Sequence, residues 1–264
     1  METGGLTDPC IDWHAPWLAP LRDLQPHVEC PDWRSALCAE ARSRGVTTAT
    51  GLPIEFVAAD DAGAAAYEAH IAATGRVPTR GNAHDLFNAL IWLTFPSTKA
   101  ALNARQAQEL ARDGVRGRRG PVRDAATLID ESGLLLAASE ETCAALARLD
   151  WAWLFSAQRG RWGNDWTPFA FGHALIEKLL VPYKGLTAVV VCLPLAGEKP
   201  AQVDRAAAHW LQQASIAPPL LSHLPVLGIP GWWAANEDPA FYADLAVFRE
   251  RRSAARHGGA AAAA

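Results

Sequence analysis

The chain has 264 residues, half of them apolar and a fifth charged, with a formal net charge of -4. Such a chain is long enough to bury about three quarters of its unfolded surface in one large core, and its composition excludes intrinsic disorder, a collagen repeat and an overall basic nucleic-acid binder. The longest uncharged apolar run, Leu186 to Ala196, is too short for a bilayer core of about 30 Å and contains Pro194, so neither a membrane helix nor a membrane partner is expected.

Met1 to Cys10 has no basic head and no apolar stretch, and no secretory signal is expected there. Residues 1–50 carry Pro16, Pro20, Pro26 and Pro31 among aromatic positions, which predicts an irregular wrapping segment with a short helix from about Ser35 to Ser43. A strand over Leu52 to Ala58 and an alanine-rich helix over Gly63 to Thr74, stopped by Gly75, follow. Asn82 is a good N-cap with Asp85 three places on, and the next ten residues are almost wholly apolar, which predicts a helix buried on nearly every side. Pro96 opens a second helix, from Ser97 to about Asp113, with Gly114 as its stop.

Past an arginine-rich loop, Ala126 to Asp130 and Leu134 to Ala138 flank Glu131-Ser132-Gly133 and read as a hairpin. Ser139 caps a helix through Leu149, Trp151 to Trp166 is an aromatic and basic connector, and Phe169 to Leu180 reads as a mostly apolar helix. The valine run in Leu186 to Leu193 is the best buried strand, followed by a helix near Gln202 to Gln213 and an aromatic segment to Phe248. With no internal repeat and no linker, the expected architecture is α+β: a mostly helical single domain over 1–252 with a small sheet or hairpin, and a disordered Gly/Ala tail over 253–264. Cys10, Cys30, Cys38, Cys143 and Cys192 are odd in number, scattered and without a CxxC pair, which suits reduced thiols in a cytoplasmic protein.

Several long motifs resemble a bacterial domain-of-unknown-function family, numbered three-zero-two-five. They are Tyr67-Glu68 with Val77-Pro78-Thr79-Arg80, then Asn82-x-His84-Asp85-Leu86-Phe87-Asn88-Ala89-Leu90-x-Trp92, Phe95-Pro96-x-x-Lys99 and Leu102-Asn103. Arg119-Gly120-x-x-Arg123-Asp124-Ala125, Phe171-Gly172-His173-Ala174-Leu175-x-Glu177-Lys178 and Val226-Leu227-Gly228-x-Pro230-Gly231-Trp232-Trp233 continue the pattern. The resemblance spans nearly the whole chain and implies one full-length module, with no activity attached. The chain departs from the expected pattern at Val189-Val190, after Thr187-Ala188, where the family is expected to carry a histidine. Asn88-Ala89-Leu90-x-Trp92-x-Thr94 with Lys99 and Asn103 also resembles the closing segment of HNH-type homing endonucleases, in which a histidine on a preceding strand activates water; here only His84 is at hand.

Three residue groups carry chemistry. His84 and Asn88 are four apart on one helix face beside Asp85, and an imidazole in a helix first turn is disfavoured from protonating, which suits it to metal binding or proton transfer. The structural reading is that Asn82 and Asp85 only cap the helix. His173 and Glu177, also four apart, can present a nitrogen and a carboxylate to one divalent ion, or Glu177 can simply pair with Lys178, Lys184 or an arginine. If the two helices converge, His84, Asp85, His173 and Glu177 surround one cavity, with Asp124 as a further carboxylate.

The third group is basic. Arg112 to Arg123 holds five arginines, and with Arg76 and Arg80 it can grip phosphate, Arg80, Arg119 and Arg123 being the expected anion contacts. Arginine outnumbers lysine twenty to four, however, as GC-rich coding dictates, so the cluster counts for less. Arg159 and Arg161 interleaved with Trp162 and Trp166 could stack bases, although core packing of the rings competes with that reading. P-loop, GxGxxG, GxSxG, HExxH and EF-hand motifs are absent. The expected function is a metal-assisted hydrolase acting on a phosphorylated or nucleic-acid substrate, with His84, Asp85 and Asn88 catalytic and a divalent metal ion as cofactor. The alternative is a non-catalytic ligand- or protein-binding module with a basic loop and an aromatic surface. No particular protein partner is indicated.

Overall fold

The computed structural model describes residues 11–59, 67–113, 120–195, 199–213, 216–218 and 221–249. The expected Gly/Ala tail, Arg116, Arg118, Arg119 and the Gly114 stop lie outside the described residues. The proline-rich start forms a 3-10 stretch, Pro16–Leu24, and two helices, α1 (Gln25–Val28) and α2 (Trp33–Arg44). Trp17, Leu18, Leu21, Leu24, Trp33 and Leu37 turn inward and lay this segment on the body.

Strand β1 (Glu55–Val57) pairs in parallel with β2 (Arg76–Pro78), and α3 (Tyr67–Thr74) lies between them in sequence. Gly75 adopts φ 71°, and a side chain there would meet the Pro53 carbonyl, so only glycine ends α3 and re-enters the small sheet. Helix α4 (Ala83–Thr94) starts as its sequence dictates: the Asn82 side chain accepts from the Asp85 N–H at 2.8 Å. Ten of its twelve residues are buried.

Helix α5 (Pro96–Asp113) packs against α3 and against the helices over Pro121–Ser132 and Pro200–Gln213. Its first turn is capped from across the fold: the buried Asp204 carboxylate accepts from the Ser97 and Thr98 N–H groups at 3.0 and 2.7 Å. That cap, on α9 (Pro200–Gln213), holds two helices together and fixes the turn that carries Lys99.

Helix α6 (Pro121–Ser132) runs directly into β3 (Gly133–Ala138), where a hairpin was expected. Gly120-Pro121 is a helix start, and Ala125, Ala126, Ile129 and Asp130 share one buried face, a helical period that the turn-like Glu131-Ser132-Gly133 masks. The expected helix from Phe169 to Leu180 is likewise two elements, β4 (Thr167–Ala170) and α8 (His173–Lys178). Ser139 caps α7 (Glu140–Arg148) as its sequence dictates. With β5 (Thr187–Pro194) and β6 (Ser222–Pro225) the larger sheet has the order β4-β3-β5-β6, with β3 and β5 parallel and both outer pairs antiparallel. All six residues of β3 are buried, so this strand and the valines of β5 form the centre of a mostly helical α+β fold.

None of the eleven tryptophans is exposed; eight are buried, and Trp153, Trp210 and Trp233 are half-buried against the core. Trp151, Trp162 and Trp166 stack with Phe155, Phe248 and Trp153 instead of offering flat faces to a ligand. No helix among the described residues is long and apolar enough to cross a membrane.

The expectation of reduced thiols is corrected by a disulfide between Cys143 of α7 and Cys192 of β5, whose Cα atoms are 5.6 Å apart. Their 49-residue separation hid the pair from any spacing rule. A loop of that length carries a closure entropy of about 4 kcal/mol, and bridges of this kind contribute about 2–4 kcal/mol in practice. Denaturant unfolding of the Cys143→Ser/Cys192→Ser double variant should show a loss in that range, and a non-reducing peptide map should recover the two cysteines linked. Alkylation of Cys143 and Cys192 themselves in untreated native protein would refute the bridge.

Candidate metal centre

The constraint that builds the site is a close backbone approach. A side chain on Gly172 would lie within 2.4–2.5 Å of backbone atoms of Glu131, Ser132 and Gly133, so only glycine lets the two segments touch. The Phe171 and Gly172 N–H groups both donate to the Gly133 carbonyl, at 3.0 and 2.8 Å. The end of α6 and the start of α8 are thereby clamped, and His173 faces Asp130 and Glu131. Helix α4 packs along α8 and supplies His84 from its own first turn.

The two expected histidines do converge. His84 Nε2 and His173 Nε2 lie 3.0 Å apart, with the rings edge to face. Glu131 Oε2 is 3.6 Å from His173 Nε2. One donor atom from each of His84, Glu131 and His173 lies within 4.8 Å of the others, the spacing at which one cation can touch all three. Glu177 stands behind this trio: its Oε2 is 2.8 Å from His84 Nδ1. A carboxylate only accepts, so Nδ1 carries the proton, and in the neutral ring Nε2 is a lone pair aimed at His173 and Glu131.

His173 is buried, and its Nδ1 has no hydrogen-bond partner among the described residues; Asp130 Oδ2 is 3.9 Å away. Burial holds its imidazole down to about 4, which keeps it neutral and able to act as a ligand at physiological pH. A cation held on Nε2 would require the ring proton on Nδ1, on the side of Asp130. Burial pushes the Glu131 carboxyl up, and neighbouring Asp130 adds to the effect, so this carboxylate gains more from a cation than an exposed one would.

The trio opens on a cavity of about 410 Å³ that is also lined by Tyr67, Glu68, Arg80, Asp85, Asn88 and Asp130. Asp85 lines it but is committed elsewhere: its Oδ2 accepts from the Arg80 backbone N–H and Nε, and its Oδ1 from Arg80 Nη2 at 3.0 Å. These bonds outweigh burial and hold its carboxyl below the usual range. Asp124 sits two helical turns before Glu131 and is not among the cavity-lining residues; nor is Arg123, although its charge reaches Glu68. Arg80 lines the cavity mouth with a largely exposed side chain. Asn88 is buried at the wall, and its partners are Lys99 and Tyr67.

Sequence reasoning missed Glu131, Asp130 and Glu68. The first two were hidden by reading a hairpin where α6 continues, and a helix begun at Pro121 would have placed both in its last turn. Asp130 is ionised in spite of its burial, because the Lys99 ammonium at 2.5 Å overcomes the cost and draws its carboxyl below the usual range. Burial, with Asp130 adding to it, pushes Glu68 up to about 7, against the pull of Lys99 and a 2.7 Å hydrogen bond from Asn103.

Two outcomes follow. Lys99→Met leaves Asp130 buried without its cation and should cost about 3 kcal/mol in denaturant unfolding; a loss below about 1 kcal/mol would show that the pair is not carrying the burial. Glu68 binds its proton more tightly folded than unfolded, so its contribution is full at low pH and falls as pH rises through the window from the unfolded value towards about 7. Glu68→Gln, which mimics the protonated form, should therefore gain stability over the parent as pH is raised from about 5 to 8. A gap that narrows with rising pH has the wrong sign.

A model of the family described as "Protein of unknown function (DUF3025)" matches residues 54–252. No curated protein and no solved structure matches the chain. The matched span includes every residue of the cavity and leaves out only the wrapping segment and the last residues, so the chain belongs to the DUF3025 family of proteins of unknown function.

Proposed function

We propose that this protein is a hydrolase dependent on one divalent metal ion and acting on a phosphorylated substrate. The observation that carries the reading is the trio itself: two imidazole nitrogens 3.0 Å apart and a carboxylate oxygen 3.6 Å from one of them, facing an open cavity. Two histidines and one carboxylate with an open side is the ligand set of catalytic zinc sites. Such an ion would supply a Lewis acid and a bound water of lowered pKa. His84 is oriented by Glu177, as metal-bound imidazoles are by outer carboxylates, whereas Asp130 lies on the Nδ1 side of His173 at 3.9 Å, short of a hydrogen bond. Arg80, held rigid by its fork onto Asp85, keeps Nη1 without a hydrogen-bond partner among the described residues and can take a phosphoryl oxygen at the cavity mouth.

A second reading, a non-catalytic binding module, is favoured by one feature: 3.0 Å also fits a hydrogen bond between the two imidazoles, which would make the cluster structural. The cytoplasmic placement loses the support of its cysteine pattern, because a disulfide such as Cys143–Cys192 persists most readily outside the reducing cytosol.

Zinc titration separates the two readings. The native protein should take up close to one equivalent; His84→Ala, His173→Ala and Glu131→Gln should each abolish tight uptake, and Glu177→Gln should weaken it about 10- to 100-fold. Asp85→Asn and Asp124→Asn should leave uptake unchanged. The loaded protein should hydrolyse members of a phosphomonoester panel and lose that activity to a chelator. Failure of the native protein to bind any divalent ion across the titration would sink the reading.

A further inference from the structure

We infer that the Tyr67 hydroxyl is a second anchor of the cavity, a hydrogen-bond donor held ready for an anionic oxygen of a phosphoryl group. The inference rests on the cavity being the substrate site, and it follows from the direction of three hydrogen bonds.

Lys99 Nζ lies 2.8 Å from Asn88 Oδ1 and 2.5 Å from Asp130 Oδ1. An ammonium has no lone pair and can only donate, so the oxygen of the Asn88 amide must face Lys99. The amide nitrogen must then face the other way, where it donates to the Tyr67 hydroxyl oxygen at 2.9 Å. With that oxygen accepting from Asn88, the hydroxyl proton points elsewhere. No acceptor for it exists among the described residues, and Tyr67, which is 41% exposed, lines the cavity. The proton is therefore directed into the cavity, towards whatever occupies it.

Charge keeps it there. Desolvation of the hydroxyl at the cavity wall and the negative charges of Glu68, Asp130 and Asp85 raise the phenol above its ordinary value, so Tyr67 keeps its proton at neutral pH and can donate it. The surrounding carboxylates do not make the cavity hostile to an anion, since three have cationic or imidazole partners: Asp85 with Arg80, Asp130 with Lys99 and Glu177 with His84. Glu68 holds its proton to about neutrality, and Glu131 is left for the metal. A phosphoryl group placed between the trio and Arg80 thus meets one neutral donor whose direction is set by a buried lysine two residues removed through hydrogen bonds. Such a donor costs no reorganisation when the anion arrives, which is the physical basis of oxyanion stabilisation.

The probe is inorganic phosphate, titrated calorimetrically into zinc-loaded and metal-free forms of the parent and of Tyr67→Phe. The phenylalanine keeps the ring and removes only the donor, so its melting temperature and zinc uptake should match the parent while phosphate binding weakens about tenfold or more. Asn88→Asp is the second variant: a carboxylate in place of the amide draws the hydroxyl proton back to residue 88. It should weaken phosphate binding in the parent background more than in the Tyr67→Phe background, whereas plain charge repulsion would act alike in both. Zinc uptake with equal phosphate affinity in parent and Tyr67→Phe overturns the inference and leaves the metal reading standing. Absence of zinc uptake, with metal-free phosphate binding still weakened in Tyr67→Phe, supports the donor role and removes the metal. Absence of phosphate binding in both forms overturns the inference.

Discussion

The contact of Gly172 with the backbone of residues 131–133 is the constraint from which the rest of the site follows. It joins the C-terminal end of one helix to the N-terminal end of another at the edge of the sheet, where β3 and β4 begin to pair. Both helix ends carry groups whose charge the local dipole disfavours: a carboxylate, Glu131, at a C-terminus and an imidazole, His173, at an N-terminus. A protein gains no stability from that placement. Such an arrangement is paid for elsewhere in the fold, and strain of this kind concentrates where function requires it.

The compensation is visible in Lys99. Its ammonium is buried, ionises Asp130 and fixes the Asn88 amide, and it also lies 5.5 Å from the Trp92 ring. One cation thereby sets the protonation or orientation of groups on α3, α4 and α6. The position of Lys99 depends in turn on Asp204, which caps α5 from the far side of the fold. The cavity is thus coupled to the core by hydrogen bonds of fixed direction, and it is not a surface cleft with adjustable side chains.

Much of this was legible in the sequence, for identifiable reasons. The Asn82 cap, the buried α4, the break at Pro96 and the valine strand are local signals, and each appears where capping, proline and hydrophobic pattern put it. Convergence of His84 and His173 could be stated only as a condition, because it depends on Gly172 meeting residues 131–133, a contact spanning about forty residues that no periodicity reports. The same limit hid the disulfide. Glu131 was lost for a different reason: Glu-Ser-Gly between two apolar runs is a turn signal, and local propensity outvoted the helical face formed by Ala125, Ala126, Ile129 and Asp130. Glu177, an expected ligand, is bonded to His84 Nδ1 and lies outside the His84–Glu131–His173 trio, a distinction that spacing on a helix cannot make.

That distinction matters for how the cavity handles protons. Each imidazole has one nitrogen turned to the cavity and one turned to a carboxylate, but the two carboxylates differ. Glu177 is partly exposed and already bonded to His84, so His84 has its proton on Nδ1 before any ligand arrives. Asp130 is buried, held by Lys99 and too far from His173 Nδ1 to bond it. His173 Nε2 is therefore free to carry the proton that it donates to His84 Nε2 across the 3.0 Å contact. The two imidazoles thus differ in what holds their outer nitrogen, a closed hydrogen bond to Glu177 for His84 and a 3.9 Å gap to Asp130 for His173, and under the proposed metal reading closing that gap would accompany the tautomer change in the buried ring.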